Sequence, residues 1–393
     1  MKKRFRIIFI FLFVSSNLFA VSQLYAQTDK SQIQNGYNEN LNANLQSRKP
    51  LQDALTVVIN SEHANSQSNN KIKDLVLIYA GSTHRLPWTK GRIKPYVYRA
   101  DNGKFDWLFD GFLFLEIFDT KRNIAYDPGF KYNAATKSDF QSVLDTYFNR
   151  KTSFGALESV LDSLAKEGQI AQRKRKVVIG IVVPRKDFTE WGTVDNKKLD
   201  FKSMNDIATA VRWYIDESLE MWKRAKYKHL ELAGFYWVSE EAAIYKDAIK
   251  MTGRYLDKIG LPFYWIPYYN APGAAKWKEN GFKYAYYQPN YFFSLKVPYQ
   301  RLADACNFAR EHGLSMEMEF DDNIISDTAF RKRFDDYVKV FTEQNVWRSQ
   351  VAYYEGGGAW LLMSQSKDAE IKKRYEFFGD IIAKRQREAD MNK

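Results

Sequence analysis

From Lys73 onward the chain keeps one rhythm, eight short apolar runs set among residues of helical period. The runs are 75–80, 111–118, 177–183, 230–238, 262–267, 283–288, 314–320 and 350–354. They are too short and too rich in β-branched and aromatic residues for helices, and their continuous apolarity marks strands buried on both faces. Helical patterns follow at 137–149, 154–166, 205–225, 242–259, 274–279, 299–310, 329–342 and 370–387, while 88–106 reads as loop or hairpin. Buried strands alternating with helices predict an α/β fold, a (β/α)8 TIM barrel in a single domain. A doubly wound sheet would be expected to show a Gly-x-Gly-x-x-Gly turn, and the first strand ends instead in Gly81-Ser82-Thr83.

Residues 1–26 have the form of a secretory signal peptide: Lys2, Lys3, Arg4 and Arg6, an apolar stretch at 7–14, and Leu24-Tyr25-Ala26 at the expected cleavage point. Residues 27–72, rich in Asn, Gln and Ser, read as a flexible leader, and 73–393 as the barrel. Export to the periplasm or medium is expected, with no membrane span after cleavage and, because no cysteine follows the apolar run, no lipid anchor. Cys306 is the only cysteine, so a packed core rather than an intramolecular disulfide must stabilise the fold, and its apolar neighbours predict a buried thiol. The net charge of +12 becomes +8 once the four basic residues of 1–26 are set aside. Acids are interspersed with these bases and no groove-reading motif accompanies them, so nucleic acid is not an expected partner. The tight basic run Arg173-Lys174-Arg175-Lys176 reads as a solvated lead-in to the third strand.

In a parallel barrel the working residues gather at the carboxyl ends of the strands. Glu116 and Asp119, Arg185, Trp237 with Glu240 and Glu241, Tyr268 and Asn270, Gln288 and Asn290, Glu317, Glu319 and Asp321, and Glu355 fall there. Acids, amides and rings together suit a polyhydroxylated ligand: the polar groups bond hydroxyls, flat rings cover CH faces, and paired carboxyls do proton or nucleophilic work. In the seventh run, alternation sends Glu317, Glu319 and Asp321 to one side and Met316, Met318 and Phe320 to the other. The apolar side must meet helices, so the acids face the barrel interior. Converging carboxyls raise one another's pKa, which keeps one protonated beside an ionised neighbour. The blander alternatives are that Ser239 caps a following helix with Glu240 and Glu241 on its positive end, that Glu317 is a structural interior acid, and that Asp321 and Asp322 serve their loop or a cation. His63, His84, His229 and His312 do not cluster, and no Gly-x-Ser-x-Gly elbow is present, so neither a His-held metal nor any other cofactor is expected. Gly356-Gly357-Gly358 stands where barrels often hold phosphate, or where substrate approaches the backbone.

The runs Asp74-Leu-Val-Leu-Ile-Tyr79, Trp107-Leu-Phe-Asp-Gly-Phe-Leu-Phe-Leu115, Val178-Ile-Gly-Ile-Val182, Arg212-Trp-Tyr-Ile-Asp216, Leu232-Ala-Gly-Phe-Tyr-Trp-Val-Ser-Glu-Glu241 and Phe263-Tyr-Trp-Ile-Pro-Tyr-Tyr269 resemble an exported bacterial family, domain of unknown function 4855, across nearly all of the chain from Asp74. Glutamates at the exits of strands four and seven also resemble the layout of the large clan of retaining barrel glycoside hydrolases. The first resemblance implies a barrel and export. The second implies cleavage of a poly- or oligosaccharide, with Glu240 or Glu241 as acid/base and Glu319 as nucleophile, about 5 Å apart, a wider gap meaning inversion. It makes Trp237, Trp265, Tyr268 and Tyr287 sugar platforms, and gives Asn270, Gln288 and Asn290 to hydroxyls, with Glu116, Glu317, Asp321 and Glu355 as further contacts. That clan usually carries Asn before its strand-four acid, where this chain has Ser239, so Glu240 and Glu241 stay undecided. The rival readings are a barrel that binds glycan without cutting it, and a cation held by Glu317, Glu319, Asp321 and Asp322 for work on acidic sugars, to which the positive charge balance leans.

Overall fold

The computed structural model of the protein describes residues 71–391 apart from Asn102; the expected signal peptide and all but the end of the leader lie outside these residues. Eight parallel strands close into a barrel in sequence order: β1 (Asp74–Tyr79), β2 (Gly111–Leu115), β3 (Arg175–Ile181), β4 (Leu230–Trp237), β5 (Phe263–Trp265), β6 (Tyr284–Tyr287), β7 (Ser315–Glu319) and β8 (Val351–Tyr354). The seam closes where β1 pairs with β8, Asp74 opposite Val351, and with β2 on its other side, Leu75 opposite Gly111. β4 slips register against β3 between Leu232 and Gly234. Gly234 has φ 146°, and a Cβ there would lie 2.2 Å from the Pro262 carbonyl oxygen, so the irregularity requires glycine.

The helices of eight or more residues are α1 (Lys90–Val97), α2 (Lys137–Tyr147), α3 (Ser153–Lys166), α4 (Met204–Ala225), α5 (Lys246–Lys258), α6 (Gln300–His312), α7 (Thr328–Glu343) and α8 (Ala369–Met391), with short helical turns at Asn323–Ser326 and Ala359–Ser364. Three departures from the sequence reading bear on function. The stretch read as loop or hairpin holds α1, with Pro95 inside it, ahead of a hairpin of Tyr98–Asp101 and Lys104–Trp107. The expected helix between β5 and β6 shrinks to two 3-10 turns, Ala274–Lys276 and Lys278–Asn280. The helix after β4 starts at Lys246 with Tyr245 as its cap, so Ser239 caps nothing and Glu240 and Glu241 stand on a loop. No helix among the described residues is long and apolar enough to cross a membrane. Cys306 is buried, and that burial pushes its thiol up to about 12.

The floor of the barrel is tied by buried charge. Asp74 accepts from Arg385 Nε at 2.7 Å, Tyr353 OH at 2.6 Å and Gln386 Nε2 at 2.6 Å, so α8 clasps the β1/β8 seam. Asp110 accepts from Arg173 Nη1 at 2.7 Å and from the Asp74 backbone N–H at 2.8 Å. This overturns the solvated reading of the basic run. Arg175 and Lys176 are buried as the first residues of β3, with Arg175 over the Trp107 ring at 4.7 Å, because Asp110 supplies a buried counter-charge. Replacing Arg385 by Met leaves Asp74 without its cation, at an expected cost of about 3–5 kcal/mol. Urea unfolding with an unchanged m-value reads it; a loss under about 1 kcal/mol would mean that the seam does not depend on this pair.

Candidate active site

Glu319, at the exit of β7, is 1% exposed. It accepts from Tyr337 OH of α7 at 2.5 Å, from Asn290 Nδ2 at 3.2 Å, and from the backbone N–H groups of Asn290 and Tyr291. Desolvation pushes its pKa up to about 7, with the Tyr337 bond pulling the other way and the Glu240 charge adding to the rise. Glu240, on the loop after β4, is open to solvent, yet enough protein surrounds its carboxyl that desolvation takes it to about 7, opposed by the Gln288 bond and helped by Asp127. That pairing of exposure and enclosure belongs to a concave mouth. Because water still reaches Glu240, part of its elevation waits on a ligand that displaces that water.

A chain of amides joins the two carboxyls. Gln288 Nε2 donates to Glu240 at 3.0 Å, and Asn290 Nδ2 donates both to Gln288 Oε1 at 3.2 Å and to Glu319. The Asn290 amide is fixed in orientation, since its Oδ1 accepts the Tyr269 N–H at 2.9 Å and its Nδ2 must therefore face the acids. Its backbone is left-handed, φ 48°, which asparagine tolerates better than most residues and which brings the amide back over β6. Glu317 lies one pleat below Glu319 on the same side of β7. It is buried with one carboxyl oxygen unpartnered, and desolvation followed by the Glu319 and Glu240 charges raises its pKa well above normal. Glu317 and Glu319 are close enough for the charge of one to raise the pKa of the other, and the Glu240 charge adds to both. With four donors Glu319 is best prepared for negative charge, and Glu317 is best prepared to stay neutral.

The other expected site residues divide. Tyr268 is half-buried at the rim, where it feels the charges of Glu241 and Glu240. Three expected sugar platforms are instead core. Trp237 is buried against Phe263 and Tyr245, Trp265 stacks on Phe282 at 4.9 Å, and Tyr287 stacks on Phe308 of α6 at 4.6 Å, leaving none of them a free face. Asn270 is exposed and left-handed, and its backbone N–H donates to Tyr287 OH. Asp321 accepts from the N–H and side chain of Asn323 in its own loop. Glu116 is saturated by Arg85 Nε at 2.7 Å and the Ser82 and Ile117 N–H groups and holds structure, whereas Glu355 takes Tyr96 OH and the Trp360 N–H on one carboxyl oxygen and keeps the other buried without a partner. The four acids named for a cation do not form a chelating group; among the described residues no cluster of three or more His, Cys, Asp or Glu is arranged to hold a metal ion.

Sequence reasoning missed three residues. Tyr236, beside Trp237, is the strand-four ring that feels Glu240 and Glu317. Tyr337 was legible as a hydroxyl on the apolar face of α7, where a buried phenol needs a partner. Asp127 lies in the excursion after β2, accepts the Gly129 N–H at 3.0 Å, presses on Glu240, and is itself lifted by desolvation to about 6. Nothing in its Tyr126-Asp127-Pro128-Gly129 turn distinguished it from an ordinary turn.

The profile of the family described as domain of unknown function (DUF4855) matches residues 74–379. No curated protein sequence matches the chain. Among solved structures, a candidate alpha-L-fucosidase from Bacteroides thetaiotaomicron is 13% identical with a TM-score of 0.42, over 80% of this chain and 95% of that one. A family 18 chitinase from Crocus vernus is 11% identical with a TM-score of 0.37, over 78% and 98%. The carboxyl transferase domain of Rhizobium etli pyruvate carboxylase is 8% identical with a TM-score of 0.36, over 82% and 49%. The barrel assignment rests on the closed ring of eight strands itself.

Proposed function

The chain belongs to the DUF4855 family, and from that premise we propose that it is a glycoside hydrolase, cutting a poly- or oligosaccharide with Glu240 as acid/base and Glu319 as nucleophile. The observation that carries the reading is the amide chain from Glu240 through Gln288 and Asn290 to Glu319, which sets two carboxyls of near-neutral pKa at fixed places around one mouth. Glu319, buried and cradled by donors, suits the role that must be ionised; Glu240, reached by water and by one amide, suits the role that exchanges a proton with leaving group and solvent. This favours Glu240 over Glu241. The basic, apolar start of the chain supports action outside the cytoplasm.

Activity needs Glu319 ionised and Glu240 protonated, so kcat/KM should be bell-shaped with its maximum near neutral pH. The Asp127 charge raises the Glu240 pKa, so Asp127→Asn should move the basic limb to lower pH. An unmoved limb would remove Glu240 as the group that titrates there. The reading itself is tested by incubating the full chain with a panel of neutral and acidic oligosaccharides and counting new reducing ends beside the Glu240→Gln form, which should lose about 10²–10⁴-fold in kcat. Glycans bound but left uncut by the unaltered protein would make this a binding barrel.

A further inference from the structure

At the β1/β8 side of the mouth, Arg85 is only partly used. Its Nε meets Glu116 and its plane lies over the Tyr79 ring at 4.7 Å, but neither Nη atom has a hydrogen-bond partner among the described residues. Nη1 faces Gly357: a methyl added to that glycine would lie 3.8 Å from it, and one added to Gly358 would lie 3.9 Å from Arg92 Nη2. Two guanidinium groups therefore flank consecutive glycines. Gly356 and Gly357 have φ 63° and 83°, and their N–H groups have no partner among the described residues, since the turn's own bonds come from Gly358 and Ala359 to the Glu355 carbonyl. Three acids stand close by: Glu116 is bonded to Arg85 Nε, Glu355 opens the turn and is buried with its pKa pushed up to about 8, and Asp321 packs against Gly356 but turns its carboxylate to Asn323. The place is contiguous with the acid site: Tyr79, under Arg85, feels the charges of Glu240 and Glu317, and meets Tyr354 edge-on at 5.8 Å.

We propose that Arg85 and the Gly356–Gly357 backbone form a subsite for an oxyanion substituent, a carboxylate or sulfate ester, on a sugar of the glycan, with Arg92 as the second cation. Guanidinium offers paired donors in the plane a carboxylate or sulfate presents, and backbone N–H groups without side chains let the group come close. An uncharged hydroxyl would use neither the fork nor the charge, and a chain with +8 beyond residues 1–26 draws acidic ligands. The proposal deepens the glycosidase reading and rests on it only for the sugar.

The test titrates the full chain, carrying Glu319→Gln so that nothing is consumed, with methyl β-D-glucuronide, methyl β-D-glucoside and sodium sulfate at low salt, followed by NMR. The glucuronide should bind about ten-fold tighter than the glucoside, which differs only at the acid group. The preference should vanish in Arg85→Gln with Glu116→Gln, which leaves no unpaired buried charge, and weaken in Arg92→Gln. Equal or undetectable binding of the two glycosides overturns the subsite, as does a preference that survives loss of Arg85. Sulfate binding as tightly as the glucuronide overturns the glycan half and leaves a free-anion site. A preference without any cleavage by the unaltered protein sinks the hydrolase reading alone; cleavage of neutral glycans without a preference sinks the subsite alone.

Discussion

Replacing Glu319 by Gln should lower kcat about a thousand-fold or more while leaving glycan affinity within a few-fold. Glutamine keeps the volume of the side chain, and its carbonyl can still accept from Tyr337. It cannot carry the negative charge for which Tyr337, Asn290 and two backbone N–H groups are arranged, and its amide would set a donor against donors. Stopped-flow or discontinuous assay with parallel binding separates the two effects. A variant that cuts at the normal rate would show that this cradle serves only the fold.

The second large effect is on stability. Glu355 is 1% exposed, and desolvation, opposed by the Trp360 N–H and Tyr96 hydroxyl, pushes its pKa up to about 8 from an ordinary 4.5. Between those values the folded protein holds a proton that the unfolded chain has released. The stabilisation is therefore complete below about pH 4.5 and is lost as pH rises through 8. At about 1.4 kcal/mol per unit, that swing is roughly 5 kcal/mol. Glu355→Gln keeps an acceptor for Tyr96 and Trp360 without the titration, so it should match the parent near pH 4 and exceed it by several kcal/mol at pH 9. Urea midpoints at both pH values decide it; parallel curves would mean that Glu355 is hydrated in the folded state.

Most of the scaffold was legible from the sequence because parallel barrel strands are buried on both faces and bounded by turns, so each appears as an isolated apolar run. Helix starts were less legible. The period of 242–259 continues through the loop ahead of Lys246, so periodicity alone could not say that Ser239 to Tyr245 stays outside the helix. In the site, alternation along β7 located Glu317 and Glu319, since apolar residues at 316 and 318 leave one choice. The same reasoning failed on β4, where every residue from Leu232 to Val238 is apolar or aromatic and the irregularity at Gly234 shifts the register. Trp237 was thus taken for a platform while Tyr236 holds the place beside the acids. Asp127 and Tyr337 come from an excursion and a helix remote in sequence from the strand exits, and only the folded chain brings them to Glu240 and Glu319.

The most direct test of paired carboxyl chemistry is sugar release by the unaltered protein, Glu240→Gln, Glu319→Gln and the double variant, measured on one glycan under one condition. Groups that act as a unit are non-additive, so release by the unaltered protein and a double variant no slower than the slower single is the expected result. Turnover that survives both substitutions, or binding without release in the unaltered protein, would contradict it.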